Sequence, residues 1–332
     1  MISIPSYYLN ECKPIYLILV IFIISIEISF GQTGSPTSTK IIAAVENIKS
    51  EPISVNFTNT LELNNTGGHI QGIQHVAYRN KDYYVLSGSS DSYSYYAIVK
   101  TGNENLTISV NRILEKPFKH AGGFQIHNNL MAIGVEDNDE KNKSKVFIFS
   151  LDNPERPPTD PIAIIDRMGT FKRATAGCVG ITLINKKVLV VVGDWDTEHL
   201  DFYRIDHEKL GQPGAELELE YTLNSKKMSR SGWIDDRWLS YQNINFIKDD
   251  TDNLYLAGMT SIEDEDILDV YEIQSADLST FSLNKIYTRN FGSHELTKFR
   301  WGAGIQMNEN QGYSILSSED NIHKTTTIHL YK

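Results

Sequence analysis

Two histidines, His69 and His120, each stand three residues ahead of a glycine, Gly72 and Gly123. At the same offset ahead of Gly180, Asn243 and Gly304 the chain carries Gly177, Ser240 and Trp301. Lys119, Arg173, Trp233, Asp235, Asp236, Arg237, Lys298 and Arg300 lie close by in sequence. Imidazoles, cations and indoles around one opening would suit ligand binding. An aromatic face with polar edges takes a sugar or another flat polar molecule, and a guanidinium takes a carboxylate or phosphate. The residues read this way are His69, His120, Arg173, Trp233, Asp235, Arg300 and Trp301. Bracing is the alternative for the two histidines, because a position that recurs in a repeat is often structural. Trp301 could equally pack beneath a loop.

A second group is acidic. Asp91, then Glu136 with Asp137 and Asp139, then Asp194 with Asp196, then residues 263–266, then Glu319 with Asp320 fall at regular intervals. Clustered carboxylates suit a hard cation such as Ca²⁺. Glu136, Asp137, Asp194 and Asp196 are the candidate metal ligands, and a hydrolase built on them would use His69 or His120 as its acid–base partner. No loop has the ligand spacing of a calcium-binding hand, and acids are also ordinary turn formers. No Gly-x-Ser-x-Gly elbow, His-Glu-x-x-His pair or phosphate-binding glycine loop is present.

These residues need a frame, and a repeat supplies it. Gly72-Ile73-Gln74-His75, Gly123-Phe124-Gln125-Ile126, Gly180-Ile181-Thr182-Leu183, Asn243-Ile244-Asn245-Phe246 and Gly304-Ile305-Gln306-Met307 share one pattern, at a period of about 50 to 60 residues. That is the blade spacing of a β-propeller. After each of the first four copies come three more short runs rich in β-branched and aromatic residues, the strand signature. The fifth copy has only two further runs, at 313–317 and 326–331. The alternating segment Ser54–Leu61 is expected to supply the missing outer strand and close the ring. The fold class is therefore all-β: a five-bladed propeller of four-stranded antiparallel blades spanning residues 54–332. The loop entering each first strand then shares a face with the loop between the second and third. The polar column Gln74, Gln125, Thr182, Asn245 and Gln306 would point to the central channel and hold water or an ion there.

The chain has 332 residues and a net charge of −11. Nucleic acid is excluded as a partner, because phosphate binding needs a basic stripe. The apolar run Ile15–Ile26, with small residues after it, reads as a signal peptide over residues 1–31, cleaved before Gln32. That predicts a secreted or periplasmic protein with no transmembrane span after cleavage, acting as a monomer. Residues 32–53 read as a linker and lead-in, flexible to Lys40 and with a short helix or strand over 41–48. Cleavage would remove Cys12 and leave Cys178, a core thiol without a disulfide partner.

The repeat resembles five-bladed β-propellers, a group that includes arabinanase-type glycosidases, lectins and calcium-dependent nucleotidases. Glycosidases of that shape use carboxylates on the inner strands of different blades, whereas here those strands carry amides, glycines and aromatics. Asp235 and Asp236, the nearest acids ahead of an inner strand, lie in one blade. The first expectation is a funnel that binds a glycan, a small polar molecule or a peptide. The alternatives are a hydrolase on a sugar or phosphoester, metal-assisted with Ca²⁺, and a protein-interaction platform.

Overall fold

The computed structural model describes residues 36–249, 251–275, 277–308 and 312–332. The proposed signal peptide and its cleavage point lie outside these residues. Helix α1 (Pro36–Glu46) and strand β1 (Ile53–Thr58) lead into five runs of strands. The first run is β2 (Ile70–Tyr78), β3 (Lys81–Ser89), β4 (Tyr93–Lys100) and β5 (Leu106–Glu115). The second is β6 (His120–His127), β7 (Leu130–Glu136), β8 (Lys143–Ser150) and β9 (Ala163–Met168). The third is β10 (Cys178–Ile184), β11 (Lys187–Gly193), β12 (His199–Asp206) and β13 (Glu218–Asn224). The fourth is β14 (Asn243–Lys248), β15 (Leu254–Ile262), β16 (Glu265–Gln274) and β17 (Ser282–Asn290). The fifth is β18 (Lys298–Met307), β19 (Tyr313–Ser318) and β20 (Thr325–Tyr331).

Within each run every strand pairs antiparallel with the next. Two-residue turns tie the first two strands in three of the runs. Arg79-Asn80, Asn128-Asn129 and Asn185-Lys186 all take positive φ, the conformation that tight hairpins require and that Asn tolerates. The ring closes as the alternation in the lead-in strand implied. β1 pairs antiparallel with β20, from Ile53 opposite Leu330 to Thr58 opposite Thr325, and completes the fifth set of four. The inner strands β2, β6, β10, β14 and β18 neighbour one another in cyclic order. The described residues thus form an all-β propeller.

The glycine column has a steric cause. A Cβ on Gly304 would sit 2.0 Å from the Ile73 carbonyl oxygen, and one on Gly123 would sit 2.2 Å from that of Gln242. Backbones around the axis approach too closely at these two points for any side chain. The polar column bonds those strands together directly. Gln125 donates to the Phe246 carbonyl at 2.7 Å and accepts from the Ile181 and Phe246 amides at 3.0 and 2.8 Å. Asn245 accepts from Gln74 at 3.1 Å and from the Ile305 amide at 3.0 Å. Gln74, Gln125 and Asn245 therefore act as cross-links between the inner strands.

The lead-in segment differs from the expected linker, because helix α1 already begins at Pro36. Ile41, Val45 and Ile48 are buried in a core that includes Tyr255, Met259, Phe299 and Ile305. The Arg289 guanidinium donates to the carbonyls of Val45, Glu46 and Ile48 and ties the helix end to β17. Cys178 is fully buried, and burial pushes its thiol up, away from reactivity. No helix among the described residues is long and apolar enough to cross a membrane.

Candidate functional site

Antiparallel pairing brings the entering loops of several blades to one end of the axis, beside the turns that follow their second strands. They enclose a cavity of about 210 Å³. Its lining includes His69, Gln71, His120, Glu136, Asn138, Asp194, Trp195, Asp196, Ser240 and Gln242.

The floor is a network of imidazoles and amides. His69 Nδ1 lies 2.8 Å from the Ile70 carbonyl and must donate to it, which leaves Nε2 as an acceptor. The Gln71 amide nitrogen lies 3.0 Å from that Nε2 and 2.9 Å from His120 Nε2, so it donates to both rings. Gln242 donates in turn to the Gln71 carbonyl oxygen. His120 then carries its proton on Nδ1, 3.2 Å from Glu136 Oε1. That contact has ion-pair distance but lacks hydrogen-bond alignment, and both atoms are buried without a hydrogen-bond partner. Burial, with the Arg300 charge, holds His69 below the usual histidine range, against the raising effect of its bond to the Ile70 carbonyl.

Two buried carboxylates form the wall. Glu136 ends β7 and accepts from the Ala176 amide at 2.7 Å. Asp194 follows β11 and accepts from the His199 amide at 2.7 Å and from His199 Nδ1 at 2.8 Å. Burial pushes the Asp194 carboxyl above the usual carboxylate range, against the opposing pull of His199 and Arg173. Asp196 is exposed at the rim, 3.2 Å from Ser240 Oγ and 3.3 Å from Lys172 Nζ. Beside it stands Trp195, with Lys141 Nζ 3.5 Å from its ring centre.

The structure therefore brings His69, His120, Glu136, Asp194 and Asp196 to one cavity. The other candidate residues are placed elsewhere. Asp137 turns away to cap its own loop, accepting from the Asp139 and Glu140 amides and pairing with Lys143. Arg173 is committed to the buried Asp201 through two hydrogen bonds of 2.7 Å. Trp233 packs on Trp238 and Tyr271 and donates to the Leu283 carbonyl. Asp235 pairs with the buried Lys285 at 3.0 Å. Arg300 is exposed and Trp301 half-buried, and neither lines the cavity. Among the described residues, no three His, Cys, Asp or Glu side chains come together as a metal-binding group. Glu136, Asp137, Asp194 and Asp196 have the partners given above.

Sequence reasoning missed Gln71 and Gln242, which lie one residue outside the aligned column and carried no chemical signal of their own. It also missed a repeated Leu-Asp-x-Tyr, at Leu200–Tyr203 and Leu268–Tyr271. In both copies the Asp accepts from a Thr opposite it on the outer strand, Thr222 or Thr288, at 2.6 Å. Those buried acids take the nearby cations out of play.

No sequence family matches the chain, and no curated protein does. Solved structures with a similar course of chain include the GH43_1 enzyme from Xanthomonas citri complexed with xylotriose, 10% identical, with a TM-score of 0.47 over 88% of this chain and 92% of that one. Another is CoXyl43, a GH43 β-xylosidase/α-arabinofuranosidase from a compost microbial metagenome, 9% identical, with a TM-score of 0.47 over 83% and 95%. A third is the α-L-arabinofuranosidase PaAbf62A from Podospora anserina in complex with cellotriose, 7% identical, with a TM-score of 0.46 over 83% and 96%. Likeness at this level says nothing about the chemistry of the residues in this chain.

Proposed function

We propose that the His69–His120 funnel binds a small, uncharged, hydroxyl-rich ligand, the end of a glycan chain. The carrying observation is the charge and donor make-up of the cavity. Buried Glu136 and Asp194, exposed Asp196 and the amides of Gln71, Asn138 and Gln242 line it, and no Lys or Arg does. An anionic ligand would meet carboxylates with no guanidinium to receive it, because Arg173 is spent on Asp201. A sugar instead offers hydroxyls that donate to carboxylates and accept from the amides of Asn138 and Gln242, which Gln71 helps to hold in place, and Trp195 offers a partial aromatic wall. Titration of the full chain with a panel of neutral mono- and oligosaccharides tests this. Saturable binding that E136Q weakens about tenfold or more supports it, since a hydrogen bond to a charged group contributes about 1.5–3 kcal/mol. Absence of binding across the panel, or binding indifferent to E136Q and to Q71A, overturns it.

A second reading, hydrolysis of a sugar, has its own observation. Asp194 and Glu136 reach the same cavity from two blades, and burial raises the first of them, as a general acid requires. Release of a chromophore from aryl glycosides, lost in both D194N and E136Q, would support it. No turnover in the unaltered protein would leave a binding protein only. Secretion, expected from the leader, would give either activity access to extracellular glycans. N-terminal sequencing of exported protein checks it.

A further inference from the structure

The axis has a second mouth, at the far end of the inner strands. It is a cavity of about 280 Å³, lined by Gln74, Gln125, His127, Thr182, Lys248 and Gln306 among others. Gln74 and Gln125 are spent on cross-linking the strands and form its floor. Three groups keep hydrogen-bonding capacity to spare. Thr182 Oγ1 is buried, in a side chain 1% exposed, and has no hydrogen-bond partner. Lys248 Nζ has three N–H donors. One goes to the Leu183 carbonyl, and the other contact, Asp252 Oδ1, is 3.5 Å away in a side chain 84% exposed. His127 is half-buried, and burial together with the Lys248 charge lowers it to about 4. The Lys248 ammonium and the His127 ring line one cavity, and the positive charge there favours an anion. The remaining ionisable neighbours are matched. His75 pairs with Asp82 at 2.7 Å, and the Tyr313 hydroxyl donates to the Lys248 carbonyl. Asp249 accepts from Thr251, Asn253 and Tyr255.

We propose that this mouth is a second ligand site, separate from the His69–His120 funnel, that takes a small carboxylate monoanion. Lys248 supplies the charge, and the Thr182 hydroxyl and the His127 ring N–H supply neutral hydrogen bonds. Lys248, whose carboxylate contact is the exposed Asp252 at 3.5 Å, can exchange it for one bound negative charge, whereas a phosphate dianion would keep half its charge unmatched.

The test follows the His127 ring resonances of the full chain by NMR during titration with acetate, with chloride at equal ionic strength as the control. The expected result is a saturable shift with acetate alone and a higher His127 pKa in its presence, since a bound anion favours the imidazolium. K248M should weaken acetate by at least about tenfold, the loss of one charge-assisted hydrogen bond. K248R should retain it. T182V, which keeps the side-chain shape, should also weaken acetate and supplies a variant that does not depend on the lysine. A shift reproduced by chloride, no saturable shift, or equal acetate affinity in K248M or T182V would overturn the assignment.

Discussion

Replacing Lys285 with methionine tests whether the acid at 235 belongs to the scaffold. Lys285 is fully buried, with Nζ 3.0 Å from both Asp235 Oδ1 and Asp269 Oδ2 and 2.9 Å from the Arg237 carbonyl. Methionine keeps most of the stem volume, so the loss is chiefly of charge and hydrogen bonds. Removing one partner of a buried ion pair costs about 3–5 kcal/mol, because the other charge is left uncompensated. Asp269 keeps hydroxyl donors from Tyr241 at 2.5 Å and Thr288 at 2.6 Å, which places the expected loss near the lower figure. Urea unfolding followed by near-ultraviolet circular dichroism should show it, together with a Tm lower by roughly 5–10 °C. Adding D269N removes the stranded charge and should restore more than half of the loss. The pH dependence carries a sign. Burial alone would raise the Asp235 carboxyl, but the Arg237 amide and the Lys285 ammonium overcome it and hold the group below its ordinary value. A carboxyl depressed in the folded state contributes stability above its unfolded pKa, about 3.9, and loses it as pH falls through the folded value. That acid-side loss should flatten in K285M. A loss below about 1 kcal/mol, or no recovery on adding D269N, would refute the account of a buried charge network.

Gly304→Ala should cost about 2–3 kcal/mol in the same assay, because the new Cβ meets the Ile73 carbonyl at 2.0 Å. Gly177→Ala meets nothing nearer than 3.8 Å and should stay within about 0.5–1 kcal/mol. Phe57→Ala empties a side chain 1% exposed on the closing strand and should cost about 3–5 kcal/mol. Faster hydrogen exchange of the β20 amides would then show the ring opening at β1. Asp194 has a folded-state pKa raised by burial, so its contribution to stability falls as pH rises through the window between the unfolded and folded values. Comparing urea midpoints of the parent and D194N across pH 4 to 7 should show that slope in the parent alone.

The scaffold was legible because its causes are local. Strand alternation, Asn-rich tight turns and glycines at close approaches repeat with the blade, and the closing strand alternates as an edge partner must. The shared face of entering loops and second-strand turns follows from antiparallel pairing alone. Residues 36–40 escaped because their polar composition matches a linker, while the apolar face that docks α1 begins only at Ile41. The site was legible in its position and only partly in its members. Glu136 and Asp137 are adjacent in sequence, yet one wall of the cavity takes the first and a capped turn takes the second. Arg173 finds its partner 28 residues away in Asp201, and Asp235 finds Lys285 at a distance of 50 residues. Residue type and spacing determined which groups could reach the funnel. Only the tertiary structure decided which charges are neutralised elsewhere, because that depends on partners that the chain brings together from different strands.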